Sequence, residues 1–93
     1  MANYRLQDRA LADLSHIYET GILTFGLQQA DTYYDGLIAQ FEELASNPFL
    51  YRERAEMRPP VRVCPYGVHV ILYTLKDEDV LILRVRHARE DWR

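Results

Sequence analysis

Apolar positions in the first part of the chain recur every three or four residues. A short alternating stretch, "NYRL", precedes them and predicts a first strand. Side chains at this spacing share one face of an α-helix, so we predict a helix over about residues 9–23 with Asp8 as its N-cap. The apolar positions that define this face are Leu11, Leu14, Tyr18 and Ile22.

The helical pattern breaks at "TFG" and then resumes. Acidic side chains occupy the side opposite the new apolar positions, which predicts a second amphipathic helix that runs to about Ala45 and stops before "SNP". Two such helices joined by a short break predict an α-hairpin with one acidic, solvent-exposed face and one apolar face that packs on a partner surface. The apolar positions of the second helix are Leu27, Ala30, Tyr34, Leu37, Phe41 and Leu44.

The second half of the chain changes to strand patterning. Residues 46–60 contain three prolines and show no period, which indicates a long loop with at most one short turn. After it, "VRVC", "VHVILYTL" and "VLILRVRH" are separated by the turn sequences "PYG" and "KDED". Three short β-rich segments with tight turns predict an antiparallel meander.

Strict alternation in the last strand predicts two faces. One is apolar and packs on the helices, and the other is solvent-exposed and cationic toward the end of the strand. The set expected to face the helices is Leu81, Leu83, Val85 and His87. The set expected on the other face is Val80, Ile82, Arg84 and Arg86.

The element order defines the predicted fold class. It is α+β, in the order β-α-α-β-β-β, with an antiparallel α-hairpin packed on a mostly antiparallel four-stranded sheet. The length of 93 residues predicts a single domain over residues 1–93.

Charge is unevenly distributed in this acidic chain. The formal net charge is −3, yet residues 1–47 hold two basic and seven acidic side chains, whereas residues 48–93 hold nine basic and seven acidic ones. No signal-peptide pattern opens the chain and no apolar run is long enough to span a membrane, so we expect a cytoplasmic protein. The single cysteine, Cys64, excludes an internal disulfide, and it is expected to be a buried apolar residue rather than a reactive thiol.

Metal and cofactor chemistry is not indicated by the sequence. His16, His69 and His87 form no H-x-x-x-H pair, and no glycine-rich phosphate loop is present. No nucleophile stands beside a base, so we expect no metal site, no cofactor and no catalytic residue.

The C-terminal stretch "RVRHAREDWR" gathers basic side chains around a histidine and a tryptophan. His87 among arginines suits general acid–base cleavage of RNA, in which the arginines stabilise phosphate charge. Alternatively, His87 ends the inward face of a strand and is hydrogen-bonded there. Trp92 either folds back onto the sheet or anchors a partner.

Four segments in this order resemble the ParE toxins of the ParE/RelE superfamily. They are "YRLQDRALADLSHIYETGILTFGLQQADTYYDGL", "LASNPFL", "RPPVRVCPYGVHVILYTL" and "VLILRVRHAREDWR", which closes on His87, Arg89, Asp91 and Trp92. The resemblance implies the same β-α-α-β-β-β fold. It also implies a toxin of a type II toxin–antitoxin pair that inhibits DNA gyrase and is neutralised by a ParD-like antitoxin.

Further partners and one alternative follow from the resemblance. The complex would repress its own operon through the DNA-binding half of the antitoxin, so contact with DNA would be indirect. The alternative is a ribosome-dependent mRNA endoribonuclease of the RelE type, but a pI near 5.5 disfavours strong binding to a polyanion. No membrane partner is expected.

Two sets of site residues are predicted on this reading. The set expected to act in target binding or toxicity is Arg84, Arg86, His87, Arg89, Asp91, Trp92 and Arg93. An amphipathic antitoxin helix would lie in the groove between the helix pair and the sheet, with its acidic residues on basic loop positions. The set expected to bind the antitoxin is Ile17, Ile22, Phe25, Ile38, Arg52, Arg54, Arg58 and Arg62.

Overall fold

The computed structural model describes residues 3–90 and residue 92, so the predicted site residues Asp91 and Arg93 lie outside the described residues. Two helices pack on one sheet, which confirms the predicted α+β class. The elements are β1 (Tyr4–Leu6), α1 (Asp8–Phe25), α2 (Leu27–Ser46), β2 (Glu53–Arg54), β3 (Val61–Tyr66), β4 (His69–Lys76) and β5 (Asp79–His87).

The α-hairpin turns at a single residue, Gly26. Its φ of 91° lies where a side chain would be strained, and glycine adopts this conformation without that cost. Its amide closes the last turn of α1 on the carbonyl of Ile22 at 3.0 Å. Asp8 was wrongly predicted as the N-cap: Gln7 holds that position, and Asp8 lies in the first turn, where its charge favours the helix dipole.

The sheet has five strands in the order β1-β5-β4-β3-β2, one more than predicted. The additional strand is β2, which lies inside the predicted loop and pairs Glu53 with Arg62 and Arg54 with Val61. A strand of two residues is too short to show alternation, so the sequence pattern did not predict it. The first strand runs parallel to β5 at the sheet edge, and every other pair is antiparallel.

A β-bulge in β5 changes which side chains face the helices. Leu72 pairs with Arg84 and Tyr73 with Ile82, so Leu83 is an extra residue in the strand. The predicted faces of this strand are therefore wrong for Val80, Ile82 and Leu83, whereas Val85 faces the helices as predicted. Val80, Ile82 and Val85 all lie in the core under the helices, whereas Leu83 lies in a separate cluster.

The main core joins the hairpin to the inner face of the sheet. It includes Leu37 and Phe41 of α2, Ile71 and Tyr73 of β4, and Cys64, each of them fully buried. Burial raises the pKa of the Cys64 thiol, which agrees with the predicted apolar role of this cysteine. The Tyr73 hydroxyl donates to the carbonyl of Pro48 at 2.9 Å and so fixes the start of the long loop.

The outer face of the sheet carries a second apolar cluster, formed by Val61, Val63, Val70 and Leu72. Met57 of the loop, Leu83 of the bulge and Trp92 of the C-terminal segment pack against it. Met57 and Trp92 thus cover part of a face that would otherwise be exposed to solvent.

Candidate partner-binding groove

A cavity of about 670 Å³ lies between α1, the first half of α2 and the adjoining ends of β4 and β5. Residues from Asp13 to Phe25 line one wall, which corresponds to about 18 Å of helix at 1.5 Å per residue. Ala30, Tyr33 and Tyr34 of α2 also line it, and Val68 lies at the sheet end. We call this cavity the groove.

Asp13 fixes the wall that joins α1 to β5. Its carboxylate accepts from the Arg84 side chain at Nε (2.8 Å) and Nη2 (3.0 Å), and from the amide of Val85 at 3.0 Å. Strand β1 pairs with β5 only as far as Ile82, so the carboxylate binds a backbone amide beyond the paired part of this edge. Hydrogen bonding to Asp13 raises the pKa of Arg84.

Glu90 is the carboxylate partner of Arg86, the next arginine of β5. Its carboxylate accepts from Arg86 Nη2 at 2.8 Å and from the amide of His87 at 3.0 Å. These bonds lower the pKa of Glu90, and the bond to Arg86 has the larger effect. Arg84 and Arg86 were predicted to form a cationic face, but each has a carboxylate partner within the chain.

Two tyrosines and two histidines meet at the sheet end of the groove, and we call these four side chains the histidine cluster: Tyr33, Tyr66, His69 and His87. The Tyr33 hydroxyl lies 3.1 Å from the carbonyl of Tyr66 and 2.7 Å from His69 Nδ1. The rings of His69 and His87, paired across β4 and β5, lie edge to face with centroids 5.6 Å apart.

Glycines make room for this cluster. A Cβ on Gly36, in the middle of α2, would overlap the Tyr66 hydroxyl. A Cβ on Gly67, in the β3–β4 turn at φ 55°, would lie 2.6 Å from the Tyr33 hydroxyl. Both tyrosines therefore reach their positions because these two residues have no side chain.

The hydrogen-bond network assigns the tautomer of each histidine. The amide of Arg89 donates to His87 Nδ1 at 3.1 Å, so neutral His87 carries its proton on Nε2. Tyr33 has one hydroxyl proton; when the Tyr66 carbonyl accepts it, His69 Nδ1 must donate to Tyr33. The Nε2 of His69 is then a free acceptor. Burial, and secondarily His87, lower the pKa of His69, which favours this neutral form.

Both Nε2 atoms are open to the groove. Neither atom has a hydrogen-bond partner among residues 3–90 and 92. Within those residues, every buried side-chain nitrogen or oxygen does have a partner, so these two atoms are not buried. Both imidazoles line the groove, so solvent reaches each Nε2 there. His16 lines it as well, and thus all three histidines of the sequence lie in one cavity.

The structure merges parts of the two predicted sites. Ile17 and Phe25, predicted to bind the antitoxin, line the same groove as three residues predicted for toxicity, which are Arg84, Arg86 and His87. Ile38 packs against the main core, and Ile22 is half-buried outside the groove. Sequence reasoning did not assign Tyr33 or His69 to a site, although a glycine inside an amphipathic helix, Gly36, is a signal of a packing or functional constraint.

The four predicted loop arginines contact the loop itself or the elements beside it. Arg58 Nη1 donates to the carbonyl of Ala55 at 2.9 Å, and Arg62 Nη1 donates to that of Tyr51 at 2.6 Å. Arg52 pairs weakly with Glu56 at 3.8 Å. Arg54 lies over the Trp92 ring, 5.7 Å from its centroid.

Trp92 folds back onto the outer face of the sheet, which was one of its two predicted roles. Arg89 is exposed, and its guanidinium has no partner among the residues that the structure describes. Among the described cations of the predicted toxicity set, which are Arg84, Arg86, His87 and Arg89, Arg89 has the fewest side-chain contacts.

Neither metal ligation nor membrane insertion is indicated within the described ranges. Residues 3–90 and 92 contain no group of three histidine, cysteine or acidic side chains that could hold a metal ion. Within the same ranges, neither helix combines the length and hydropathy that a membrane span requires.

Comparison with known proteins defines the class of this protein. The family model for the ParE toxin of type II toxin-antitoxin systems, parDE, matches residues 4–92. Toxin ParE1 of Caulobacter vibrioides is 36% identical over 87 residues, covering 94% of this chain and 90% of that protein. Toxin ParE1 of Mycobacterium tuberculosis is 31% identical over 91 residues, covering 97% and 93%. The class is the toxin component of a type II toxin–antitoxin system.

The chain belongs to the ParE toxin family, which confirms the resemblance found in the sequence. Its fold is similar to a chain of the chromosomal ParDE TA system from P. aeruginosa, with a TM-score of 0.77 over 94% of this chain and 95% of that chain. The identity between the two is 21%, so this likeness describes the fold alone.

Proposed function

We propose that this toxin inhibits DNA gyrase by binding it, without a cofactor and without catalysis of its own, and that a ParD-like antitoxin neutralises it in the cytoplasm. The complex represses its own operon through the DNA-binding half of the antitoxin. Family membership over residues 4–92 is the observation that carries the proposal.

The groove supports the assignment of an antitoxin partner. An amphipathic helix of about twelve residues matches its length of about 18 Å, and Ile17 and Phe25 supply apolar contacts. Phe25 is 63% exposed and its neighbours Leu23 and Leu27 are 88% and 57% exposed. Large apolar side chains grouped at a hairpin tip indicate a surface that a partner covers.

The exposed side chain of Arg89 supports a separate contact with the target. Arg89 can form charge-assisted hydrogen bonds with an acidic surface because no described residue engages its guanidinium. If the target binds at Arg89, the hairpin tip around Phe25 remains available to the antitoxin. Arg86 and His87 line the groove and precede Arg89 in the chain, so they lie next to both surfaces.

Endoribonuclease activity is the second candidate, and the histidine cluster is the observation that favours it. His69 offers an accessible Nε2 acceptor beside an accessible Nε2 donor on His87, as acid–base cleavage of RNA requires. The arrangement is less suited to phosphate, because Asp13 holds the Arg84 guanidinium through two of its nitrogens.

Two assays with the same purified protein separate these functions. One measures supercoiling and cleavage-complex formation by gyrase, and the other measures mRNA cleavage on ribosomes. Inhibited gyrase with intact mRNA is the expected result. Cut mRNA with fully active gyrase would overturn the proposal, and loss of the cutting in His69→Asn would then place the acid–base pair in the histidine cluster.

A further inference from the structure

We propose that the sheet end of the groove binds a carboxylate side chain of the antitoxin between His69, His87 and Arg86, and that the complex takes up a proton there as it forms. This inference rests on the proposed function, because it takes the antitoxin to be the occupant of the groove. It adds the chemistry that the occupant must present.

His87 and Arg86, which both line this end of the groove, carry hydrogen-bond donors. His87 presents Nε2–H, because the Arg89 amide fixes its Nδ1 as an acceptor. Arg86 uses only Nη2 toward Glu90, so its remaining N–H groups are available, and its side chain is 26% exposed. A carboxylate accepts from several donors at once and forms short charge-assisted bonds with arginine and histidine.

One group opposes a carboxylate in the neutral state. The Nε2 of His69 carries a lone pair, and two acceptors repel each other at hydrogen-bond distance. Protonation of His69 converts this atom into a donor and supplies a charge opposite to that of the ligand. Burial disfavours the charged imidazole in the free toxin, so the ligand charge is what stabilises it. Binding and protonation are therefore coupled.

The surrounding charges leave this coupling intact. Two internal ion pairs, Arg84 with Asp13 and Arg86 with Glu90, are each neutral overall. Glu90 by itself favours a charged His69, whereas His87 opposes it. The titratable and charged groups that face the two imidazoles from α1, α2, β3 and β5 and the segment after it are Asp13, His16, Tyr33, Tyr66, Arg84, Arg86 and Glu90.

Proton uptake sets the sign of the pH dependence. A complex that holds more protons than its separated components becomes more stable as the pH falls. Uptake of one proton corresponds to a tenfold tighter association for each unit of pH decrease, between the pKa values of the free and bound histidine. We expect the antitoxin to bind more tightly at pH 6 than at pH 8.

Calorimetric titration measures both quantities. The full-length cognate ParD-like antitoxin is titrated into the toxin at pH 6, 7 and 8, in buffers of different ionisation enthalpy. The variation of the heat with buffer counts the protons taken up. About one proton at pH 7, with an affinity that rises roughly tenfold from pH 8 to pH 7, is the expected result.

Isosteric variants separate the groove-facing nitrogen from the structural one. His69→Asn and His87→Asn keep a polar atom near the position of Nδ1, so the bonds to Tyr33 and to the Arg89 amide can be retained, but each removes Nε2. The expected result is loss of the proton uptake in His69→Asn, and binding at pH 6 that is weaker by about tenfold in both variants. Glu78→Gln, in the β4–β5 turn, is the control and should retain both, with circular dichroism verifying the fold of each variant.

The outcomes distinguish this inference from the proposed function. Tight binding with no proton uptake and no effect of either asparagine variant overturns the carboxylate site but leaves the antitoxin assignment standing. Proton release in place of uptake also overturns it. If the unaltered toxin does not bind the ParD-like protein at any pH, the antitoxin assignment fails, and this inference fails with it.

Discussion

Asp13 on α1 accepts two hydrogen bonds of 2.8 and 3.0 Å from the side chain of Arg84 on β5, which lies 71 residues away in the sequence. The same carboxylate accepts the amide of Val85, two residues after the bulge. The side chains are only 16% and 24% exposed, so solvent screens the pair less than it screens a surface ion pair. This contact links the helical hairpin to the strand that forms one wall of the groove.

Replacement of Asp13 should destabilise the fold measurably. Asp13→Ala leaves a half-buried guanidinium and a backbone amide without their acceptor, and we expect a loss of about 1–3 kcal/mol in the free energy of unfolding. Asp13→Asn keeps one acceptor oxygen and should lose less. Urea titration followed by circular dichroism measures both. Arg5→Ala is the control, since its 3.6 Å pair with Asp79 is exposed and should contribute less than about 0.5 kcal/mol.

Gly36 provides a second test because helix propensity and packing predict opposite signs. An alanine in an unconstrained helix interior is more stable than glycine by about 1 kcal/mol. Here its Cβ would displace the Tyr66 hydroxyl and disturb the tyrosines of the histidine cluster. We expect Gly36→Ala to lower the melting temperature by several degrees, as about 1 kcal/mol does in a chain of this size.

The matched control for Gly36 removes the obstacle. In a Tyr66→Ala background the added methyl group meets no ring, so Gly36→Ala should raise the melting temperature relative to that background. A lower melting temperature in both backgrounds would show that contact with Tyr66 is not the reason for the glycine.

Most of the fold was predicted from the regular spacing of apolar residues in the sequence. The helix stripe from Leu27 to Leu44 and the β-rich segments after residue 60 sufficed for two helices and a meander, because their apolar residues repeat over several periods. Strand β2 was missed because two residues contain no period. The faces of β5 were misassigned because Leu83 is an inserted residue that shifts the alternation.

The groove was predictable only in part. Ile17 and Phe25 were predicted as apolar residues near the hairpin that bind a partner, and the arginines of β5 were conspicuous in the sequence. Neither Asp13 as the partner of Arg84 nor Tyr33 as the partner of His69 could be inferred, because these contacts span 71 and 36 residues and depend on how the hairpin is docked.

Trp92 should contribute to stability from its place on the outer face of the sheet. Trp92→Ala uncovers the cluster around Val63 and Leu72, and for a partly buried ring we expect a loss of about 1–3 kcal/mol in the free energy of unfolding. Circular dichroism in urea is the suitable measurement, since the variant has no tryptophan fluorescence. Trp92→Phe should lose much less. Unchanged stability in Trp92→Ala would show that this ring does not cover the sheet.

His69 should make the free toxin sensitive to mild acid. Its folded pKa is lowered by burial, whereas the unfolded chain titrates near the ordinary value of 6.5, so the unfolded state binds more protons as the pH falls below about 7. The stability contributed by neutral His69 is therefore present above that pH and is lost during acidification until the folded pKa is passed. Unfolding free energies at pH 7.5 and pH 5.5 should differ less in His69→Asn than in the unaltered protein. An equal difference in both proteins would exclude His69 as the source.

Arg89 separates a binding role from a structural one at the C-terminal end. Its guanidinium is exposed and has no partner in the part of the chain that the structure describes, so Arg89→Glu should leave the melting temperature within about 2 °C of the parent value. If this residue contacts an acidic surface of gyrase, the charge reversal should weaken inhibition of supercoiling by about tenfold or more. Arg52→Glu, which reverses an exposed arginine of the long loop, is the charge-matched control and should inhibit normally. Equal inhibition by Arg89→Glu and the parent protein would move the gyrase contact away from this end of the chain and make the hairpin tip around Phe25 the next surface to mutate.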